Sequence, residues 1–411
     1  MNTDRFMVRL ALVVALVPIT GIDATWADDS TQSTSTTSAA SSASFSLGPF
    51  SVGASTSYVA DKLQSQANIY SEKVGQLQKQ RRTPAAAKQL QEYKQALTAT
   101  NAAHAYVVGD KAALPPEATS PEGLTRIREV VRWASRPVWV LCNGAPWFPP
   151  NPPPDYASLV APHADSFSRI AKSTGLISLW DKGSNKIIQV VGTGVVVGPH
   201  RILTNKHVVT DGGLGFEDAA TGTLKMFSNR EAKVDFPLEY PNCVGGARRT
   251  LTVTVSGVET LRTQLDVAVL KVTVALPDPV DFPRSSNIVT GDRIAVIGYP
   301  SRPGDTDTFL SAPQIDQIFS APDHHTPFPA ERFAAGATIY DPGVDDGYFG
   351  YDATTWEGNS GSVVVSLADG KVVGLHSQGL QAKTEGTGYN EAVLTKSVSE
   401  LLSALPADGA H

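Results

Sequence analysis

Apolar residues recur along this chain with two different periods, and the change of period divides it. Val59, Leu63, Tyr70, Val74 and Leu77 fall at spacings of three, four or seven, one face of a helix. Thr83-Pro84 breaks that stripe as a helix start does, with Thr as cap and Pro in the first turn. Leu90 and Leu97 continue on a second helix, so the stretch from Tyr58 to Ala103 predicts a helical hairpin. A third helix begins at Ser120-Pro121-Glu122 and turns Leu124, Ile127, Val130 and Val131 inward; Pro137 to Cys142 reads as a short strand. Pro149-Pro150-Asn151-Pro152-Pro153-Pro154 lacks most backbone donors and marks a stiff boundary.

From about Ala161 the texture becomes β. Leu176 to Trp180, Ile187 to Val191, Thr193 to Val197 and Arg201 to Thr204 are short, branched-rich runs between Gly, Pro and Asn turns. Leu251 to Val255, Val267 to Val272 and Arg293 to Ile297 repeat the pattern, which argues for a sandwich or barrel. Ser362 to Val365 and Lys371 to Leu375 flank Asp369-Gly370, a favoured hairpin turn. A final helix is predicted from Ser397 and Glu400, read as a capping box, with Val398, Leu401, Leu402 and Leu405 as its apolar side. The fold class is therefore mostly β with a C-terminal helix, preceded by a helical N-terminal region.

The beginning of the chain adds a destination. Arg5 and Arg9 precede an apolar run from Leu10 to Ile22, too short for a comfortable membrane span, and Ala24-Thr25-Trp26-Ala27 fits a leader cleavage site. Residues 1–27 are read as a signal peptide, so the mature protein is expected to be secreted or periplasmic, with no membrane span left. Residues 28–57, rich in Ser, Thr and Ala, read as a flexible linker. Residues 58–148 form the helical region, expected to be a prosegment, an interaction arm or packing for the main domain. Residues 149–160 are a Pro-rich linker and 161–406 that main domain. With a formal net charge of −6 and no dense Lys/Arg block, nucleic acid is excluded as a partner. Only Cys142 and Cys243 are present. In an oxidising compartment an even pair suggests a disulfide, and two separate buried thiols are the alternative. Such a bridge would close a loop of about 100 residues and stabilise by roughly 4.7 kcal/mol on the chain-entropy account.

Three patterns carry chemistry. Glu357-Gly358-Asn359-Ser360-Gly361-Ser362 sets a serine in a tight glycine turn, with the N–H groups of Gly358 and Ser360 as donors to a developing oxyanion. Leu203 to Val209 places His207 just beyond a buried strand, and Leu265 to Leu270 sets Asp266 at the head of an apolar one. A nucleophile, a base and a carboxylate that orients the base are what peptide hydrolysis by serine requires. Of the other histidines, His104, His163, His200, His324, His325 and His411 lack this framing; only His376 shares it. The order His, Asp, Ser is that of chymotrypsin rather than subtilisin or the α/β-hydrolases.

With these segments go Gly192-Thr193-Gly194 and Ile297-Gly298-Tyr299-Pro300, and together they resemble secreted bacterial trypsin-like peptidases of the chymotrypsin fold. The nearest look is to the glutamyl endopeptidase group, through Tyr351-Asp352, Gly374-Leu375-His376 and Asn390 to Val393. The resemblance covers about Ile170 to Leu405 and implies two six-stranded β-barrels with the active site between them. It also implies protein or peptide substrates and no cofactor; no metal cluster or nucleotide loop is present in the sequence. Trp356 and Glu357 depart from the small residues usual at the pocket rim, and 301–350 is long and Pro-rich. Where trypsins place a pocket Asp this chain has Thr354, whereas Thr355 and His376 match the residues that bind a substrate carboxylate in glutamyl endopeptidases, where a hydroxyl and an imidazolium can satisfy that charge. Thr354, Thr355, His376, Ser377 and Gly379 are the expected substrate-binding set, with preference for Glu or Asp before the scissile bond. The competing readings are a catalytically silent binding or adhesion protein of the same fold, and an esterase with the same triad.

Overall fold

The computed structural model describes residues 56–79, 83–110, 113–116, 120–148, 154–237, 251–259, 264–302, 311–319, 329–340, 347–380 and 389–406. The expected leader, nearly all of the Ser/Thr/Ala linker, residues 149–153 of the Pro run and Cys243 lie outside them.

The N-terminal region is helical where the apolar stripe predicted it. Helix α1 (Thr56–Lys79) packs on α2 (Pro84–Val108). Thr83 caps α2 by accepting from Ala86 N at 3.1 Å, and Gly109 ends it with φ +77°. The buried face of α2 is not the one Leu90 and Leu97 indicated. Ala96, Thr100, Ala103 and Val107 face the core instead, because small side chains let the two helices approach closely. Helix α3 (Pro121–Ser135) is capped by Ser120 and buries Ile127, Val130 and Val131 as expected. Strand β1 (Val138–Cys142) comes next and pairs with β2 (Ala145–Pro146).

Two short helices then replace the end of the expected linker and the start of the expected β texture. These are α4 (Pro154–Val160) and α5 (Ala164–Lys172), the latter burying Phe167, Ile170 and Ala171. Neither is long enough to show a helical period before the fold supplies its apolar partners.

Strands β3 (Thr174–Asp181), β4 (Lys186–Gly198), β5 (Arg201–Thr204), β8 (Arg230–Phe236), β9 (Leu251–Glu259) and β10 (Ala268–Val272) form a closed barrel in the order β10-β5-β4-β3-β8-β9. The one-turn helix α6 (Lys206–Thr210) and the hairpin β6 (Gly215–Asp218) and β7 (Thr223–Met226) sit between β5 and β8 in sequence. The two runs expected at 187–191 and 193–197 are one long strand, β4, with register shifts against β3 in place of a turn.

A second ring comprises β11 (Arg293–Gly298), β12 (Arg332–Tyr340), β13 (Tyr348–Tyr351), β14 (Val363–Ser366), β15 (Val372–Leu380) and β16 (Tyr389–Leu394). Its order is β11-β14-β15-β16-β13-β12, closed by β11 on β12. Helix α7 (Ala312–Ile318) lies between β11 and β12 in sequence, and α8 (Thr395–Ser403) ends the described chain. The expected capping box at Ser397 is corrected. The helix starts at Thr395 as β16 ends, its N-cap is Leu394, and no side chain caps it. Ser397 is therefore already inside the first turn.

The core ties these parts together. Alternate residues of β11 enter different clusters, as the two-residue strand period demands. Ile294 and Val296 pack in one cluster with Leu63, Ala103, Ile127 and Trp133 of the N-terminal helices. Ala295 and Ile297 pack in another with Phe167, Val195, Leu203 and Val398, which joins the two barrels and α8. The helical region thus shares its core with the second barrel. Its strand β1 is hydrogen-bonded to β12, Val138 opposite Ala334 and Val140 opposite Arg332.

Candidate active site

The pairing of β10 with β5, Ala268 opposite Thr204, fixes the base and its carboxylate together. His207 lies in α6 immediately after β5, and Asp266 lies just before β10. Asn205 Nδ2 donates to the Asp266 carbonyl at 2.8 Å, and the Asp266 N–H donates to the Tyr348 hydroxyl at 3.0 Å. The backbone entering β10 is therefore held from both barrels.

Around the carboxylate the bonds are complete. His207 Nδ1 lies 2.6 Å from Asp266 Oδ2, and the His207 N–H donates to Oδ1 at 3.0 Å. The Ser377 hydroxyl donates to Oδ2 at 2.7 Å. Burial is the largest influence on Asp266 and pushes its pKa up. The bonds from His207 and Ser377 outweigh it, and the carboxyl sits below its ordinary value. On the other side of the ring, His207 Nε2 is 2.8 Å from Ser360 Oγ. Asp266, His207 and Ser360 form one continuous hydrogen-bonded chain.

The nucleophile loop is shaped by two glycines in the left-handed region, Gly358 at φ +89° and Gly361 at φ +87°. The first barrel holds it through Thr193 of β4. The Thr193 hydroxyl donates to Gly358 O at 2.7 Å while accepting from Tyr299 N at 3.1 Å, and Thr193 N donates to Ser360 O at 2.8 Å. Ser301 N donates to Glu357 O at 2.6 Å. Because a trans peptide sets its C=O and N–H on opposite sides, that bond turns the Gly358 N–H away from Ser301. Neither the Gly358 nor the Ser360 N–H has an acceptor among the described residues. Ser362 N bonds back to Asn359 O and Gly361 N to His376 O, which completes the turn. A serine polarised by a histidine, with two backbone donors close by, can attack a carbonyl and hold the resulting oxyanion.

The expected substrate-binding residues divide. Thr354 does not offer its hydroxyl to a ligand; it is buried and donates to Arg136 O at 3.0 Å. Ser377 is likewise committed to Asp266, and its carbonyl accepts from Ser360 Oγ at 3.4 Å. Thr355 donates to Asn390 Oδ1 at 2.7 Å, and Asn390 lies opposite the exposed Gly379 in the β15–β16 ladder, so these three stand together. Sequence reasoning missed Asn390 as a side chain in this cluster. It also missed Thr193, Ser301 and Tyr348 as supports; their signals are backbone pairings that no spacing reveals.

His376 differs from its expected form. Its Nδ1 is hydrogen-bonded to the Tyr351 hydroxyl, and the residue is 3% exposed. Burial, reinforced by His207, brings its pKa down to about 3, so the ring is neutral rather than an imidazolium. Burial also drives Tyr351 well above the usual phenol, so its hydroxyl keeps its proton. The unfolded chain would protonate this histidine below about 6.5, whereas the folded chain would not. Its stabilising effect is thus full above that pH and falls as pH drops toward about 3, by roughly 1.4 kcal/mol per unit. Urea unfolding at pH 7 and pH 5 is expected to show a shallower pH dependence in His376→Gln than in the native protein. Equal dependence in both would contradict the buried neutral ring.

The family described as trypsin-like peptidase domain matches residues 192–375, a span containing His207, Asp266 and Ser360. The chain carries a trypsin-like serine peptidase domain. It is a hydrolase acting on peptide bonds. Compared with curated proteins, the chain finds no match. Among solved structures it is similar to the serine endoprotease from Yersinia pestis, at 21% identity and a TM-score of 0.36, over 63% of this chain and 69% of that one. Among the described residues no helix is long and apolar enough to cross a membrane.

Proposed function

We propose that this peptidase is an exported endopeptidase that works through an acyl-enzyme formed on Ser360. His207 takes the Ser360 proton as the hydroxyl attacks the scissile carbonyl, and returns it to the leaving amine. Asp266 holds the ring with Nε2 toward Ser360 and stabilises its charged form, and the N–H groups of Gly358 and Ser360 receive the oxyanion. Water then repeats the sequence to release the acid. The observation that carries this reading is the unbroken chain from Asp266 Oδ2 through His207 to Ser360 Oγ, at 2.6 and 2.8 Å.

For the residue before the scissile bond we propose Glu or Asp. Thr355, Gly379 and His376 belong to the loop and strand flanking Ser360, and a bound carboxylate would supply the negative charge that a buried imidazole needs to take up a proton. Cleavage of a mixed peptide library by the native protein, beside Ser360→Ala, tests both levels. Turnover lost in the variant supports the mechanism. Dominant cleavage after Arg or large apolar residues would refute the acidic preference while leaving the mechanism standing.

Export rests on the leader pattern of residues 1–27, and mass determination of the protein from the culture fractions tests it; a chain retaining Met1 in the cytoplasm would refute it. We further propose that Cys142 bonds Cys243, supported by the absence of a free cysteine among the described residues. Peptide mapping without reductant should recover the two as one linked fragment.

A further inference from the structure

Outside the catalytic chain, one buried charge pair joins the helical region to the loop that leads into the nucleophile. Arg136, the residue after α3, forms an ion pair with Asp352, and both side chains are 1% exposed. Asp352 is itself fixed to β12. Its Oδ1 accepts from Ala337 N at 2.8 Å, and its own N–H donates to Ala337 O at 3.0 Å. Two residues on, Thr354 donates to the Arg136 carbonyl at 3.0 Å. Two further, Trp356 lies against Trp133 of α3 with ring centroids 5.5 Å apart. Pro137 O accepts from Ala335 N at 3.0 Å, the first bond of the β1–β12 ladder. Every second residue from 352 to 356 is thus gripped by 133–136, and Glu357 to Ser360 come directly after.

We infer that Arg136 is a positioning residue for the substrate-binding wall, and that residues 133–142 are a permanent part of the peptidase rather than a removable prosegment. This rests on the proposed assignment of Ser360 as nucleophile and of the adjoining loop as the wall of its cleft. A charge buried opposite Asp352 cannot be withdrawn without leaving that carboxylate unpaired in an apolar cluster. Thr355, between the gripped positions, turns its hydroxyl to Asn390 beside Gly379. The grip therefore sets where Thr355 meets a substrate side chain, while the Thr193 and Ser301 bonds separately hold the oxyanion turn.

The two supports predict a split that general loss of structure would not give. In Arg136→Met, KM for the preferred peptide should rise at least 10-fold, while a small fluorophosphonate should label Ser360 within about threefold of the native rate; Arg136→Lys should recover part of the KM. Thr354→Val removes only the hydroxyl bond to Arg136 and keeps the shape, so it should fold even if Arg136→Met does not. Its KM should rise about 5-fold with labelling unchanged. Unchanged KM in folded Thr354→Val, or labelling and turnover falling together, would overturn the proposal. So would a fully active mature form lacking residues 133–142. Failure of the native protein itself to label would instead count against the Ser360 assignment.

Discussion

Asp266→Asn is expected to lower kcat by about 10⁴-fold with KM nearly unchanged and the fold intact, the scale of effect seen when the orienting carboxylate of such a triad becomes an amide. The bonds at this side chain give the reason. Asp266 accepts from three donors, His207 Nδ1, the His207 N–H and the Ser377 hydroxyl. An amide brings two N–H donors into a site built only for acceptance. The ring escapes the clash by moving its proton to Nε2, where it faces Ser360 and can no longer act as base. Thermal melts beside steady-state kinetics separate this from unfolding. A kcat within tenfold of native in a folded variant would show that Asp266 does not orient His207.

Gly361→Ala should damage the fold and the site together. A Cβ there would stand 2.1 Å from Thr193 O and 2.6 Å from the Thr204 hydroxyl, at a backbone φ of +87°. Two of those obstacles, the carbonyl and the dihedral, belong to the backbone and cannot rotate away. Left-handed strain and overpacking each cost about 1–3 kcal/mol, so a loss on the order of 4 kcal/mol is expected. Relief by sliding the loop would carry Ser360 away from His207, and displacement of about 1 Å in a reacting group is worth roughly 10²-fold in rate. Denaturant unfolding and fluorophosphonate labelling should both register the change. A variant of native stability and native labelling rate would mean that the inter-barrel contact at Thr193 does not hold the nucleophile.

The difference between what was legible in the sequence and what was not tracks the range of the interactions. Helices α1 to α3 were readable because caps such as Thr83 and Ser120 act within one turn. Strands β3, β5, β10 and β11 were readable because they are largely buried and carry short apolar runs, Leu176-Ile177, Ile202-Leu203, Ala268 to Leu270 and Ile294 to Ile297. His207, Asp266 and Ser360 stood out as candidates because each adjoins a buried strand, His207 after β5, Asp266 before β10 and Ser360 before β14. Strand β12, Arg332-Phe333-Ala334-Ala335-Gly336, was not, because its small residues answer to neighbours distant in sequence. Gly336 must be small because Ala353 N would lie 2.5 Å from any Cβ there. Arg136 reads as an ordinary basic residue after a helix; only the fold reveals Asp352 opposite it. His376 was recognised by position, but its charge state depends on the Tyr351 hydroxyl and on burial, which spacing does not contain.

Ser360 is proposed to be an activated nucleophile in the assembled site. Fluorophosphonate labelling of the full protein, with Ser360→Ala beside it, tests this. Stoichiometric labelling of the native chain is expected on a peptide containing Ser360, and none in the variant. A folded native protein that remains unlabelled, or equal labelling in both, would contradict it and leave a double barrel used for binding rather than catalysis.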